Sequence, residues 1–176
     1  MDLKQGTETV RIEICTDPRE FAHVAKLFAT TVDNTYVSHS ELKYGFASPD
    51  GTWGTGVEQS MHERLTILLR DEPLGNGSEY VLVVARFDRS IIGFALLEYE
   101  TRDGFPATLI VHDIVVGKAA RGLGLGKALL LWVQDHARGK GVSAMFLESG
   151  INNPDAHSFF EGHGFRKTAV MMMKPL

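Results

Sequence analysis

The chain has 176 residues, 44% of them hydrophobic, and a formal charge of −4. That suits a single domain, 1–176, around one sizeable core. Lys and Arg are scattered and leave no basic face for nucleic acid, and no apolar run is long enough to cross a bilayer. Met1 to Gln5 lacks an apolar signal core and reads as a tail. Cys15 is the single cysteine, which excludes an internal disulfide and fits a buried, inert thiol. Together these point to a soluble, cytoplasmic protein.

Val10 to Cys15 reads as a first strand, with Val10, Ile12 and Ile14 on one face. Asp17-Pro18-Arg19-Glu20 is a helix start: aspartate caps, proline takes the first turn and glutamate closes the box. Phe21, Val24, Ala25, Phe28 and Val32 follow at helical spacing. Asn34 to Gly56 shows no clear periodicity and is read either as a functional lid or as a disordered surface loop. Val57 to Arg70 is a second helix, with Val57, Met61, Leu65 and Leu68 on one stripe. Tyr80 to Phe87 and Ser90 to Glu98 flank Asp88-Arg89 as a hairpin. Leu109 to Val116 is the fourth strand.

Arg121-Gly122-Leu123-Gly124-Leu125-Gly126-Lys127 then separates that strand from an amphipathic helix, Gly122 to Arg138. Gly139-Lys140-Gly141 ends the helix, and Ala144 to Leu147 is the fifth strand. Asn153 caps a short helix with Pro154 at its first position. Phe165 to Lys174 supplies one or two final strands. Within it, Met171-Met172-Met173 alternates as core or sheet edge, with a homodimer interface as the alternative.

The glycine segment carries the chemistry. Glycine allows close backbone approach and positive φ, and the first amides of a helix are unpaired donors at its positive end. A strand feeding such a turn offers converging N–H groups to a pyrophosphate. Two familiar loops do not fit. A P-loop would need glycine where Arg121 stands and a hydroxyl where Ala128 stands. A dinucleotide fingerprint would follow the first strand, with its last glycine one position later than Gly126.

Arg121, Gly124 and Gly126 instead match the Arg/Gln-x-x-Gly-x-Gly/Ala signature of the GCN5-related N-acetyltransferase (GNAT) family. Asn153-Pro154-Asp155-Ala156, Phe159-Phe160-Glu161 and Gly164-Phe165 resemble that family's downstream segment. The resemblance spans Leu109 to Phe165; outside it only the order of elements agrees. It implies an α/β (α+β) fold: a mixed, mostly antiparallel sheet of six to seven strands with helices on both faces. Acyl-coenzyme A would lie between splayed strands four and five.

The same resemblance assigns roles. Backbone amides of Arg121, Gly122, Leu123, Gly124, Leu125, Gly126 and Lys127 would contact the pyrophosphate of acetyl-CoA. Ile114, Val115 and Val116 would line the pantetheine arm, and the Val116 N–H would polarise the thioester carbonyl. Asn153 matches an asparagine near the coenzyme arm, although helix capping explains it equally well.

An attacking amine must lose a proton, since an alkyl ammonium has a pKa near ~10.4. His112, interrupting an apolar strand, is the first choice of base; a core histidine held by hydrogen bonds is the alternative. Asp113 and Glu148 are further carboxylates, either orienting His112, attracting a cationic acceptor, or simply facing solvent. Alternation puts Asp113 on the face opposite His112 unless a bulge intervenes.

Phe160 stands where the family has a tyrosine that protonates the leaving thiolate. Water, His157 or Ser158 would have to substitute, or the thiolate leaves as such. The other histidines show no ligand spacing, so no metal is expected. The expected activity is acetyl-CoA-dependent N-acetylation of a small primary amine, with no nucleic-acid or membrane partner. A protein or peptide acceptor, and a non-catalytic acyl-CoA sensor, are the alternatives.

Overall fold

A computed structural model describes residues 3–5, 8–69 and 77–174. Contacts divide the chain into two units, Met1–Thr31 with Glu58–Leu147 and Val32–Val57 with Glu148–Leu176. The helices are α1 Phe21–Thr31, α2 His39–Lys43, α3 Val57–Leu68, α4 Leu125–Gly139 and α5 Pro154–Glu161. The expected helix end at Arg70, and Met1 and Asp2 of the expected tail, lie outside the described residues.

The first unit contains the sheet. Its strands are β1 Leu3–Gln5, β2 Glu8–Ile14, β3 Ser78–Phe87, β4 Ser90–Glu100, β5 Thr108–Val116 and β6 Ala144–Leu147, in that spatial order. Every neighbouring pair is antiparallel except β5 with β6, which run parallel. The mixed, mostly antiparallel sheet is as expected, but its outermost strands differ. Leu3–Gln5, read as tail, pairs with β2.

Phe165 to Lys174, read as strand, has no regular structure, and Met171, Met172 and Met173 are exposed. Strand propensity yields a strand only where an edge accepts it. Leu3–Gln5 finds that edge on β2, whereas the methionine run pairs with none among the described residues.

Helices cover both faces of the sheet. On one, Val83, Ala85, Ala95, Leu97, Leu109 and Val111 pack with Leu125, Leu129 and Val133 of α4. On the other, the Phe28 ring of α1 lies 6.4 Å from Phe94, and Arg64 of α3 reaches Asp113. Each fully buried aliphatic or aromatic side chain contributes roughly 1.5–3 kcal/mol. At the start of α1, Asp17 accepts the Arg19 N–H at 3.0 Å, and Pro18–Glu20 forms a single 3-10 turn.

A bulge interrupts the ladder of β5 with β4. Leu96 pairs with Asp113 and Leu97 with Val111, so His112 is an extra residue in the ladder. Before it, Leu109 and Val111 pack in the α4-side cluster; after it, Ile114 and Val116 do. The alternation therefore reverses at this point, and His112 shares the α1–α3 face with Asp113.

The partner strand β6 stops at the same place. Its register runs from Thr108↔Ala144 to Val111↔Leu147 and no further. Beyond it, Gly117 N–H donates to the Ile92 carbonyl at 2.9 Å, and Val115 is the partner of Phe94. Antiparallel pairing alternates, so Asp113 and Val115 turn their backbone groups to β4. Ile114 and Val116 turn theirs to the open edge.

The second unit orders itself locally. Ser38 caps α2 through a capping box, donating its N–H and O–H to Glu41 at 2.8 and 2.6 Å. Trp53 donates its indole N–H to the Asp33 carbonyl at 2.9 Å and pairs across an isolated bridge with Ala47. The segment read as irregular thus has internal structure. Asn153 caps α5, accepting the Ala156 N–H at 3.2 Å. Any Cβ at Gly150 would collide with the Thr35 and Val37 carbonyls.

Candidate functional site

Between β5 and α4 the chain makes the 3-10 turn Lys118–Ala120 and then two left-handed glycines, Gly122 at φ 75° and Gly124 at φ 79°. An L side chain at either position would be strained. Gly124 occupies the N-cap of α4. The first intrahelical bond is Ala128 N–H to the Gly124 carbonyl at 3.0 Å. The amides of Leu125, Gly126 and Lys127 precede it and have no helical acceptor.

The outward-facing amides of Ile114 and Val116 precede these donors in the chain, while Gly117, Ala120 and Arg121 between them spend their own N–H groups on the Ile92, Gly117 and Lys118 carbonyls. The two sets of free N–H groups suit an anionic, extended ligand. Arg121 braces the turn, reaching the Val116 and Thr31 carbonyls at 3.4 Å each. A cavity of about 600 Å3 adjoins the turn, lined by apolar side chains including Leu27, Ile92 and Leu123. Neither His112 nor Glu98 lines it.

His112 is held at the bulge. Its Nε2 lies 2.7 Å from Glu98 Oε2, and its ring stacks on Tyr80 at 5.9 Å between centroids, tilted 26°. Glu98 is only 7% exposed and also accepts the Ser78 hydroxyl at 2.6 Å. Burial pushes its carboxyl up, but hydrogen bonds from Ser78, His112 and Tyr80 outweigh that and hold it below the ordinary glutamate value. Asp113 is fully buried and bound by Arg64 Nη1 at 3.0 Å.

Glu148, Asn153, His157 and Phe160 belong to the second unit. Glu148 is engaged by His39 Nδ1 at 3.1 Å and by the Ser40 hydroxyl at 3.1 Å. Phe160 is buried and meets Phe165 edge-on at 5.6 Å. Sequence reasoning passed over Glu98, Tyr80 and Arg64. For Glu98 the signal was present, because it follows Phe94 and Leu96 at alternate positions of an apolar strand, where a carboxylate needs partners.

Comparison with known proteins agrees with this architecture. The family model described as "Acetyltransferase (GNAT) family" matches residues 47–165. An IAA acetyltransferase of Azospirillum brasilense is 30% identical over 83 residues, 47% of this chain and 52% of that protein. An aminoalkylphosphonate N-acetyltransferase of Salmonella typhimurium is 30% identical over 66 residues, 38% of this chain and 43% of that protein. The matches thus span about half the length of these relatives.

An aminoglycoside N-acetyltransferase solved with CoA superposes with a TM-score of 0.65 over 99% of both chains at 16% identity, a likeness of fold. The family match covers most of the chain, including the strand, the glycine turn and the capped helix just described; the chain belongs to the GNAT family of acetyltransferases.

Proposed function

We propose that the protein transfers the acetyl group of acetyl-CoA to the primary amine of a small molecule by direct attack on the thioester. The observation that carries this reading is the pair of outward-facing amides of Ile114 and Val116, beginning where β6 leaves β5 and beside His112, followed along the chain by the unpaired amides of Leu125, Gly126 and Lys127 at the start of α4. The amides of Gly122 to Lys127 hold the pyrophosphate, and the open edge at Ile114 and Val116 pairs with the pantetheine arm. The Val116 N–H points away from β4 and donates to the thioester oxygen as negative charge builds there.

His112 takes the proton from the attacking amine. The amine lone pair forms the C–N bond, and the C–S electron pair leaves with sulfur as a thiolate. Phe160 has no hydroxyl, so the thiolate takes its proton from water. Relatives named for IAA, aminoalkylphosphonate and aminoglycosides support a small-molecule acceptor.

The test is release of free thiol from acetyl-CoA against amines, polyamines, aminoglycosides and peptides, with coenzyme affinity measured separately. Turnover with a small amine is expected. Coenzyme binding without turnover across the panel would overturn catalysis in favour of a sensor, and turnover with peptides alone would overturn the acceptor class.

A further inference from the structure

We infer that Glu98 is a positioning residue for the transfer, holding His112 through Nε2 so that Nδ1 is the atom that receives the amine proton. This rests on His112 being the base. The two ring nitrogens stand in different surroundings. Nε2 faces the Glu98 carboxylate at 2.7 Å. Nδ1 makes no hydrogen bond among the described residues. A carboxylate only accepts, so Nε2 carries the hydrogen in the neutral ring and Nδ1 carries the lone pair.

Glu98 is itself fixed. Ser78 donates to its other oxygen at 2.6 Å, and the Tyr80 hydroxyl adds a further bond. The Tyr80 ring stacks against the imidazole, so the plane of His112 is set as well as its tautomer. When Nδ1 gains the proton, the new positive charge faces an ionised carboxylate across Nε2. The amine N–H bond breaks toward Nδ1, and its nitrogen bonds to the acetyl carbon. The thiolate departs with its electron pair, and Nδ1 afterwards returns its proton to water. Asp113 and Arg64 also lie on this face and neutralise one another at 3.0 Å, and Glu100, two residues beyond Glu98 on the same face of β4, accepts the Thr108 hydroxyl at 3.2 Å.

Nitrogen-15 NMR of histidine-labelled protein reads the arrangement without turnover. The expected spectrum at neutral pH has His112 protonated at Nε2 and bare at Nδ1. A ring protonated at Nδ1 would overturn the positioning role while leaving the base reading intact. Glu98→Gln keeps the shape and removes the charge. Its kcat should fall roughly 10–100-fold with little change in either KM, and the acid limb of its rate profile should move to lower pH, because the imidazolium loses its counter-charge. A folded Glu98→Gln protein with an unmoved acid limb would also overturn the inference. Full activity in His112→Ala, with the Nε2–H tautomer present in the wild type, would overturn the base reading instead.

Discussion

Two buried acids in adjacent positions of β4, Glu98 and Tyr99, respond to pH in opposite directions. Glu98 titrates below its ordinary value of 4.5 when folded, so in that window the unfolded chain binds more protons. Its contribution is full above the unfolded value and fades as pH falls through the folded one. Urea midpoints measured from about pH 5 to pH 3 should decline less steeply in Glu98→Gln than in the wild type.

Burial pushes Tyr99 up to about 12, with the Glu79 charge adding to it. The folded phenol then stays protonated where the unfolded one ionises, so stability falls between about pH 10 and pH 12. Tyr99→Phe should flatten that alkaline decline, although it also gives up the 2.6 Å bond to His136. A slope unchanged by the substitution would contradict the assignment. At this scale the sequence exposed His112, whose polarity stands out in an apolar run. It marked Glu98 as a carboxylate in an apolar strand but not its partners, Ser78 and His112, which sit on other strands.

At the scale of elements, the glycine turn and the open strand edge should separate coenzyme binding from turnover. Gly124→Ala places a Cβ on a backbone at φ 79°, which costs roughly 1–2 kcal/mol. There is open space around it, so the fold survives and the turn shifts. Calorimetry should show weaker CoA binding with kcat less affected; unchanged affinity would remove the turn from the site.

Val116→Pro deletes an N–H that the β4 ladder does not use. It should lower turnover on the order of a hundredfold while CoA affinity changes little. Retained turnover would assign carbonyl polarisation elsewhere. The strand, turn and helix here were legible because their signals are local: alternation, glycines and caps. The end of the chain misled because pairing is not local, and alternation in Met171 to Met173 names no partner. The short helix α2 was overlooked even though Ser38 and Glu41 spell its capping box.

For the whole molecule, the two units have different means of support. The first owns the sheet and its two covered faces. The second is built from short elements, including a five-residue α2 and an eight-residue α5, lengths at which a helix is marginal by itself. The two tryptophans report on them separately: Trp53 lies in the second unit and Trp132 on α4 in the first. Single Trp→Phe variants followed by fluorescence in urea should give a lower midpoint for the Trp53 signal. Coincident midpoints would mean that the units unfold as one.

The bulge in β5 separates the regular part of the strand from the proposed base, His112. Read without His112, the strand alternates without a break: Leu109, Val111, Ile114 and Val116 toward α4, and Ile110, Asp113 and Val115 away from it. His112 is therefore an insertion into an otherwise regular strand, and it can be excised rather than replaced. Deleting it should restore an unbroken ladder between Leu96–Leu97 and Val111–Asp113 and abolish turnover, while stability falls by no more than the lost Glu98 hydrogen bond, about 1–3 kcal/mol.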